Sequence, residues 1–379
     1  MDRAPELPAS PPEEGDRSAP SPIPRSPSFT IVLSGGGLKG LAHIGVFRAL
    51  EERGLVPGLV VGSSMGSLIA AAWAAGMRVR EMEDRALALR RRDVFRIAHV
   101  DMALKRMLSP AVYRRDPLDR ILEDLVGERT FHDLLHPLVI NTADLNSGHQ
   151  VLWGIPGLRD VRVADAVFAS CSLPGIFPPR RIMGRVCVDG AVIENFPIRA
   201  AAAIGPGPIL AVDLGGSRTP RRGVERTGFA ATYGRSLELV MGRMVEAALT
   251  EWQAPPLVLI RPAVHRVQMF AFNKTPFLIA EGYRATQDAL ERLEAPLDQL
   301  GPGIHPRRKI ELHVDRDTCI GCGICAASLP ELFRMVDDVA EPRQPVREWS
   351  PAADNAVRIC PVSAISSAEP GSAPGETRR

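Results

Sequence analysis

A chain of 379 residues, 45% of them apolar, can bury one large core and a second small one. A formal charge of +2 lacks the strongly basic balance of a nucleic-acid binder, and Lys39, Lys105, Lys274 and Lys309 are the only lysines among 46 basic residues. The first residues carry no apolar export signal, and the longest apolar run, residues 68–76, falls far short of the roughly 20 residues a membrane span needs. A cytoplasmic protein, at most peripheral to a membrane, is expected.

Residues 1–27 carry eight prolines and no apolar periodicity, the pattern of a disordered arm. Phe29-Thr30-Ile31-Val32-Leu33-Ser34 reads as a buried strand, followed by a helix over residues 41–53 that Gly54 stops. Leu59-Val60-Val61 is a second strand. An alanine-rich helix over residues 64–75 comes next and ends at Gly76. Residues 80–135 read as mostly helical, with pieces at 79–92, 101–108 and 116–125. Their arginines and lysines, among them Arg85, Arg90, Arg96, Lys105, Arg106 and Arg120, form either a solvated face or a surface for anionic lipid.

Further strands are expected at residues 138–143, 185–188, 209–213 and 257–260, with Gln150-Val151-Leu152-Trp153 pairing with a segment downstream of it. Long helices are expected over residues 232–252 and 277–293. Strands alternating with helices favour a three-layer α/β fold around a mainly parallel sheet. The expected organisation is an arm at 1–27, a large domain at 28–302, a Gly/Pro-rich linker at 303–307, a small α+β unit at 308–366 and a disordered tail at 367–379.

Two strand-to-helix turns stand out. Gly62-Ser63-Ser64-Met65-Gly66 has the Gly-x-Ser-x-Gly spacing in which glycines let the chain turn sharply and lift a serine oxygen above the sheet. Gly35-Gly36-Gly37-Leu38-Lys39-Gly40 opens the preceding helix with bare backbone amides suited to an oxyanion. The same glycines fit a dinucleotide fingerprint. However, the acid that such a site wants at the end of the next strand is replaced by Val61-Gly62-Ser63-Ser64, and the Walker ending is absent. A serine needs a base. None of the eight histidines follows a strand in a motif-like setting, and His43 reads as a packed helix residue. Asp189, in Asp189-Gly190-Ala191 at the end of a strand, is better placed, because burial would raise its pKa toward the working range of a base.

These three motifs, in this order, resemble the patatin-like phospholipase family over about residues 28–300. His43-Ile44-Gly45-Val46, the stretch Ala169-Ser170-Cys171-Ser172-Leu173-Pro174-Gly175 and Asn195-Phe196-Pro197-Ile198 add to the likeness. The resemblance implies a serine–aspartate dyad, with Ser64 as nucleophile and Asp189 as base. The oxyanion hole falls to Gly36 and Gly37 with Lys39 nearby, and Gly35, Gly40, Gly62, Gly66 and Gly190 are motif glycines. Arginine is common in the family where Lys39 stands, and glycine where Ala191 stands; neither is a reacting group. The implied reaction is hydrolysis of a phospholipid or other fatty-acyl ester, with transfer to another acceptor as a variant. Cys171 and Cys187 are read as buried apolar fillers.

Cys319-Ile320-Gly321-Cys322-Gly323-Ile324-Cys325 with a distant Cys360-Pro361 has the spacing of a four-thiolate iron–sulfur cluster; zinc sites usually bring two separated pairs. Residues 308–366 resemble a bacterial-type ferredoxin domain that lacks the second cysteine set. That implies a single 4Fe–4S cluster on Cys319, Cys322, Cys325 and Cys360. Ester hydrolysis moves no electrons, so three roles stay open: electron transfer to a separate redox partner, redox or oxygen sensing that gates the hydrolase, and a structural prop. A rival of a different class is an electron-transfer or lipid-binding scaffold whose large domain is not hydrolytic.

Overall fold

The computed structural model describes residues 28–94, 112–215, 223, 228–268 and 271–371. The arm at 1–27, the expected helical piece at 101–108 with Arg96, Lys105 and Arg106, and the tail beyond residue 371 lie outside them. No helix among the described residues is long and apolar enough to cross a membrane.

The large domain alternates strand and helix. Its elements run β1 (Thr30–Leu33), α1 (Ala42–Glu52), β2 (Leu59–Ser63), α2 (Met65–Ala74), α3 (Val79–Ala88), α4 (Arg91–Val94) and α5 (Asp116–Val126). Then come β3 (Leu138–Asp144), β4 (Gln150–Trp153), α6 (Val163–Cys171), β5 (Arg180–Ile182), β6 (Arg185–Asp189), α7 (Ala191–Glu194) and α8 (Ile198–Ile204). β7 (Ile209–Val212), α9 (Phe229–Thr250), β8 (Leu257–Ile260), α10 (Thr275–Glu291) and β9 (Ile304–His305) complete it. The sheet order is β5-β6-β3-β2-β1-β7-β8-β9, with β4 also on β3. Six of these strands run parallel, and β4, β5 and β6 pair antiparallel.

Alternation along the strands makes the three layers. Ile31, Leu33, Val60, Leu210 and Val258 face one core with Ile44 and Phe47 of α1, Ile69 of α2, and Leu278 and Ile279 of α10. Val32, Val61, Ala211 and Leu257 face the other with Ile198 of α8 and Val245 and Leu249 of α9. Side chains of period two on opposite faces require helices above and below, which is the α/β/α sandwich expected. α1 and α10 cross at glycines: a Cβ on Gly45 would stand 1.9 Å from Ile279 O, and one on Gly282 1.8 Å from Ala42 O.

Three expectations change. The segment read as a linker at 303–307 supplies β9, which extends the parallel sheet from β8 and buries His305. A two-residue strand is too short to show a period, so its Gly and Pro neighbours dominated the reading. Gln150–Trp153 pairs back onto β3 rather than with a downstream segment. The helix expected at 79–92 breaks after Ala88, where Leu89 is extended.

The small domain holds a sheet β10 (Lys309–Val314), β13 (Val346–Glu348) and β14 (Ile365–Ala368), a hairpin β11 (Phe333–Val336) and β12 (Val339–Pro342), and helices α11 (Ile324–Ser328) and α12 (Pro351–Ile359). Its own core joins Ile310, Leu312, Leu332, Phe333, Ala353, Ala356 and Ile365. The two domains meet along α12. Arg261 bridges Asp213 at 3.1 Å and Asp354 at 3.0 Å, Arg243 reaches Asn355 at 3.0 Å, and Arg358 pairs with Glu246.

Candidate active site

Sheet register brings Ser64 and Asp189 together. β4 takes one edge of β3 over Ile140–Ala143, so β2 and β6 must share the other. On that edge Asn141 is opposite Ser63 at the end of β2, and Thr142 is opposite Asp189 at the end of β6. The two strands therefore meet nearly head to head, and the residue after Ser63 lies beside Asp189. On the far side Gly62 is opposite Leu33, which puts the glycine loop after β1 next to the same point. The site sits outside the carboxyl ends of the parallel strands, where open α/β sheets present their loops.

Ser64 occupies φ 53°, ψ −128° between β2 and α2. That left-handed backbone costs a non-glycine residue on the order of 1–3 kcal/mol, and it must be held by its surroundings. A hydrogen-bond network around its backbone holds it. The Ser64 amide donates to Ser170 Oγ at 2.8 Å, Ser170 Oγ donates to Asn141 O at 2.7 Å, and Ser67 Oγ donates to Ser64 O at 2.6 Å. The motif glycines are spatial requirements: a Cβ on Gly62 would stand 2.6 Å from Ser67 Cα, and one on Gly66 2.3 Å from Leu33 O. Gly190 is equally constrained, with Asn141 Nδ2 at 2.4 Å from a Cβ there.

Asp189 is 2% exposed. Its Oδ1 accepts from the Ala191 amide at 2.9 Å, and its carboxyl is hydrogen-bonded to the Ser64 side chain. Burial pushes its pKa up to about 7, against the opposing pull of those two hydrogen bonds. Among the described residues no histidine lines the cleft. His43 is fully buried, its Nε2 donates to Ser34 O at 2.9 Å, and burial lowers its pKa to about 4, so it stays neutral and packed.

Gly36 and Gly37 border the Ser64 cleft. Gly37, at φ 59°, starts a 3-10 turn over Gly37–Leu41, where the first N–H groups have no intrahelical acceptor. Gly35 instead donates to Asn195 O at 3.2 Å, and a Cβ on it would stand 2.9 Å from Ser64 Cβ. Gly40 packs against Met65, 2.3 Å from the Cβ it lacks. Lys39 does not line the cleft. It is 3% exposed, its Nζ lies 4.0 Å from Glu238 Oε1 of α9, and it borders a neighbouring pocket with Gly35, Gly36 and Leu214.

The cleft encloses about 80 Å³ and is walled by Leu38, Leu68, Leu118, Leu173, Ile176, Phe177 and Met241. Cys171 also lines it and is more than a core filler. Burial first, then the nearby Asp189 charge, push its thiol well above the ordinary range, against a hydrogen bond with Ser67, so it stays protonated. Cys187 is fully buried, as expected. Sequence reading missed the support roles of Ser170, Asn141 and Asn195, although Ser170 and Asn195 lie in stretches it had singled out. α9 links the two halves of the molecule, carrying Glu238 beneath the glycine loop and Glu246 against Arg358, two residues before Cys360.

Cys319, Cys322, Cys325 and Cys360 line one pocket in the small domain. Gly321 (φ 64°) and Gly323 (φ 71°) wrap the loop between the first three, and the Ala364 amide donates to Cys360 Sγ at 3.2 Å. Thiols converging on one small pocket with an amide aimed at sulfur fit a thiolate-held cluster. Among the described residues no group of three or more His, Cys, Asp or Glu side chains, these cysteines included, is arranged to hold a single metal ion.

Residues 31–202 match the profile of the patatin-like phospholipases, and residues 314–367 match the 4Fe-4S single cluster domain of ferredoxin I. The chain is 31% identical over 201 residues to an uncharacterized NTE family protein of Mycobacterium bovis, an alignment covering 53% of each. It is 28% identical over 294 residues to the lysophospholipase NTE1 of Mycosarcoma maydis, covering 71% of this chain and 15% of that one. The chain thus spans about half the length of the first of these relatives. Among solved structures it is similar to VipD from Legionella pneumophila, with a TM-score of 0.40, 13% identity, and 71% and 67% of the two chains covered. By these sequence matches residues 31–202 are similar to the patatin-like phospholipases and residues 314–367 to the single-cluster 4Fe-4S ferredoxin domain.

Proposed function

We propose that the large domain hydrolyses fatty-acyl esters of lipids through a Ser64–Asp189 dyad. The observation that carries this is a strained serine hydrogen-bonded to a buried carboxyl whose pKa lies near 7, beside the unpaired start of the glycine turn. Asp189 takes the Ser64 proton as Oγ attacks the acyl carbonyl. The Gly36 and Gly37 amides hold the oxyanion, which is the largest single term in many acyl transfers. The tetrahedral adduct collapses, and the leaving alkoxide takes the proton from Asp189, freeing the alcohol and leaving an acyl-Ser64 ester. Water then attacks that ester, giving its proton to Asp189, and the fatty acid leaves as Ser64 is reprotonated. The apolar cleft wall suits an acyl chain, and the lysophospholipase name of one relative supports a lipid substrate. Lys39 is a support beneath the glycine loop in this reading rather than an oxyanion donor. As a test, Ser64→Ala and Asp189→Asn should each abolish release of a chromogenic acyl ester; full activity in either sinks the dyad.

The four cysteines would hold one 4Fe–4S cluster, which supplies one-electron transfer when bound. The exposed arginines of α3 and α5 and the segment between α3 and α4, among them Arg85, Arg90 and Arg120, are the surface that would meet an anionic membrane. Vesicle flotation of the full chain, with phosphatidylglycerol against phosphatidylcholine, tests that contact; equal recovery with both lipids rules it out.

A further inference from the structure

A second cavity, of about 1120 Å³, opens at the seam between the two domains and shares no described residue with the Ser64 cleft. Its lining carries seven Lys or Arg against three Asp or Glu, a formal +4, in a chain whose total is only +2. Some of that charge is neutralised locally. Arg284 pairs with Glu281 and Asp288, Arg261 with Asp213 and Asp354, and Arg307 with Glu348. The side chains of Arg266, Lys274, Arg292 and Arg308 have no ion pair or hydrogen bond among the described residues.

These cations come from both domains. Arg266, Lys274 and Arg292 flank α10 of the hydrolase domain, and Arg308 opens the ferredoxin domain. Arg308 lies over the Trp349 ring, its Cζ 4.9 Å from the centroid, while Arg261 covers the same ring at 5.4 Å. Desolvation at the seam holds Arg308 below the ordinary arginine range; the charges of Asp354 and Glu369 oppose this, and those of Arg261 and Arg292 add to it. Solvated surface arginines normally spread apart. Here guanidiniums from both domains, Arg266 and Arg292 of one and Arg308 of the other, line one cleft, where a bound anion would be attracted by all of them.

We propose that this cleft binds a phosphate-bearing anion that bridges the two domains. A guanidinium fork matches phosphate oxygens in a bidentate way, and desolvation in a cleft strengthens each such bond. The cavity exceeds what one inorganic phosphate fills, and the exposed ring of Phe277 offers an apolar wall, so the phosphoryl group belongs to a larger ester. That ester is either a soluble phosphate ester or a phospholipid headgroup.

The test titrates the full, cluster-containing chain with glycerol 3-phosphate and with inorganic pyrophosphate in about 150 mM salt, where diffuse surface attraction is screened. Calorimetry should report saturable binding of at least one probe. Arg292→Gln with Arg308→Gln should weaken it roughly tenfold or more, the loss expected when charge-assisted bonds are removed. Ester hydrolysis should be unchanged, because neither residue touches the Ser64 cleft. A parallel flotation with phosphatidylglycerol vesicles identifies the source. Vesicle binding that needs Arg292 and Arg308, without binding of the soluble probes, assigns the headgroup. If the double variant does not fold by circular dichroism, Arg266→Gln replaces it. No saturable binding of any probe, or binding indifferent to these substitutions, overturns the proposal.

Discussion

Asp189→Asn should do two opposite things: abolish hydrolysis and stabilise the fold at alkaline pH. Burial raises the folded pKa of Asp189 from 3.8 to about 7. Below pH 4 both folded and unfolded states hold the proton, and the residue costs nothing through ionisation. As pH rises from about 4 to about 7 the unfolded chain ionises first, so the native state binds more protons and stability falls with pH. Above pH 7 the penalty is complete. A rise of about three pH units at 1.36 kcal/mol each sets a ceiling of roughly 4 kcal/mol. Asparagine keeps the shape and an oxygen for the Ala191 amide, and it carries no charge to bury. The variant should therefore match the parent near pH 4 and gain progressively above it. For a domain of this size roughly 2–4 °C of Tm accompanies each kcal/mol, so the offset at about pH 8 should reach several degrees. Thermal unfolding of both proteins across this range measures it, and every other titrating group cancels between them. An offset independent of pH, or an Asn variant less stable at about pH 8, would refute the claim that Asp189 is held in a desolvated site for catalysis at the expense of stability.

Other outcomes rest on the same geometry. The kcat/KM profile for a neutral ester should rise with pH through a midpoint near 7, where Asp189 ionises, and then level off; a midpoint near 4 would mean that the carboxyl is solvated in the working enzyme. Ser170→Ala removes the acceptor of the Ser64 amide. It should lower kcat by roughly 1–3 kcal/mol of barrier with little change in KM, whereas Ser170→Thr should recover part of it if its hydroxyl reaches the same place. Gly45→Ala puts a methyl 1.9 Å from Ile279 O. It should destabilise the domain by roughly 1–3 kcal/mol or more in urea unfolding, with the pH–rate midpoint unmoved in whatever remains folded.

Much of this was legible because it is local. The runs around β1 and β2, the glycine turn at Gly35–Gly37, the Ser64 elbow and the Cys319–Cys325 spacing each lie within a few residues of chain. Asp189 was found as an acid ending a strand, but its approach to Ser64 depends on β2 and β6 sharing one edge of β3. That antiparallel join between distant segments leaves no periodic trace. Lys39 was placed near the oxyanion hole because it stands in the glycine motif; its ammonium lies 4.0 Å from Glu238 of α9, a residue far along the chain. Cys171 read as a filler because a small apolar residue in a helix is normally core, and its place in the cleft depends on where α6 packs. β9 hid among glycines and prolines, since two residues cannot show alternation. The Arg261 bridge and the cationic seam belong to the docking of two domains, each of which looks complete alone.

The most direct test of the central claim is to label the full chain with a fluorophosphonate and locate the adduct by peptide mass spectrometry. The account predicts stoichiometric modification on Ser64, none on Ser64→Ala, and much slower modification on Asp189→Asn with the fold intact. Modification at another residue, or ester hydrolysis that survives Ser64→Ala, would contradict it.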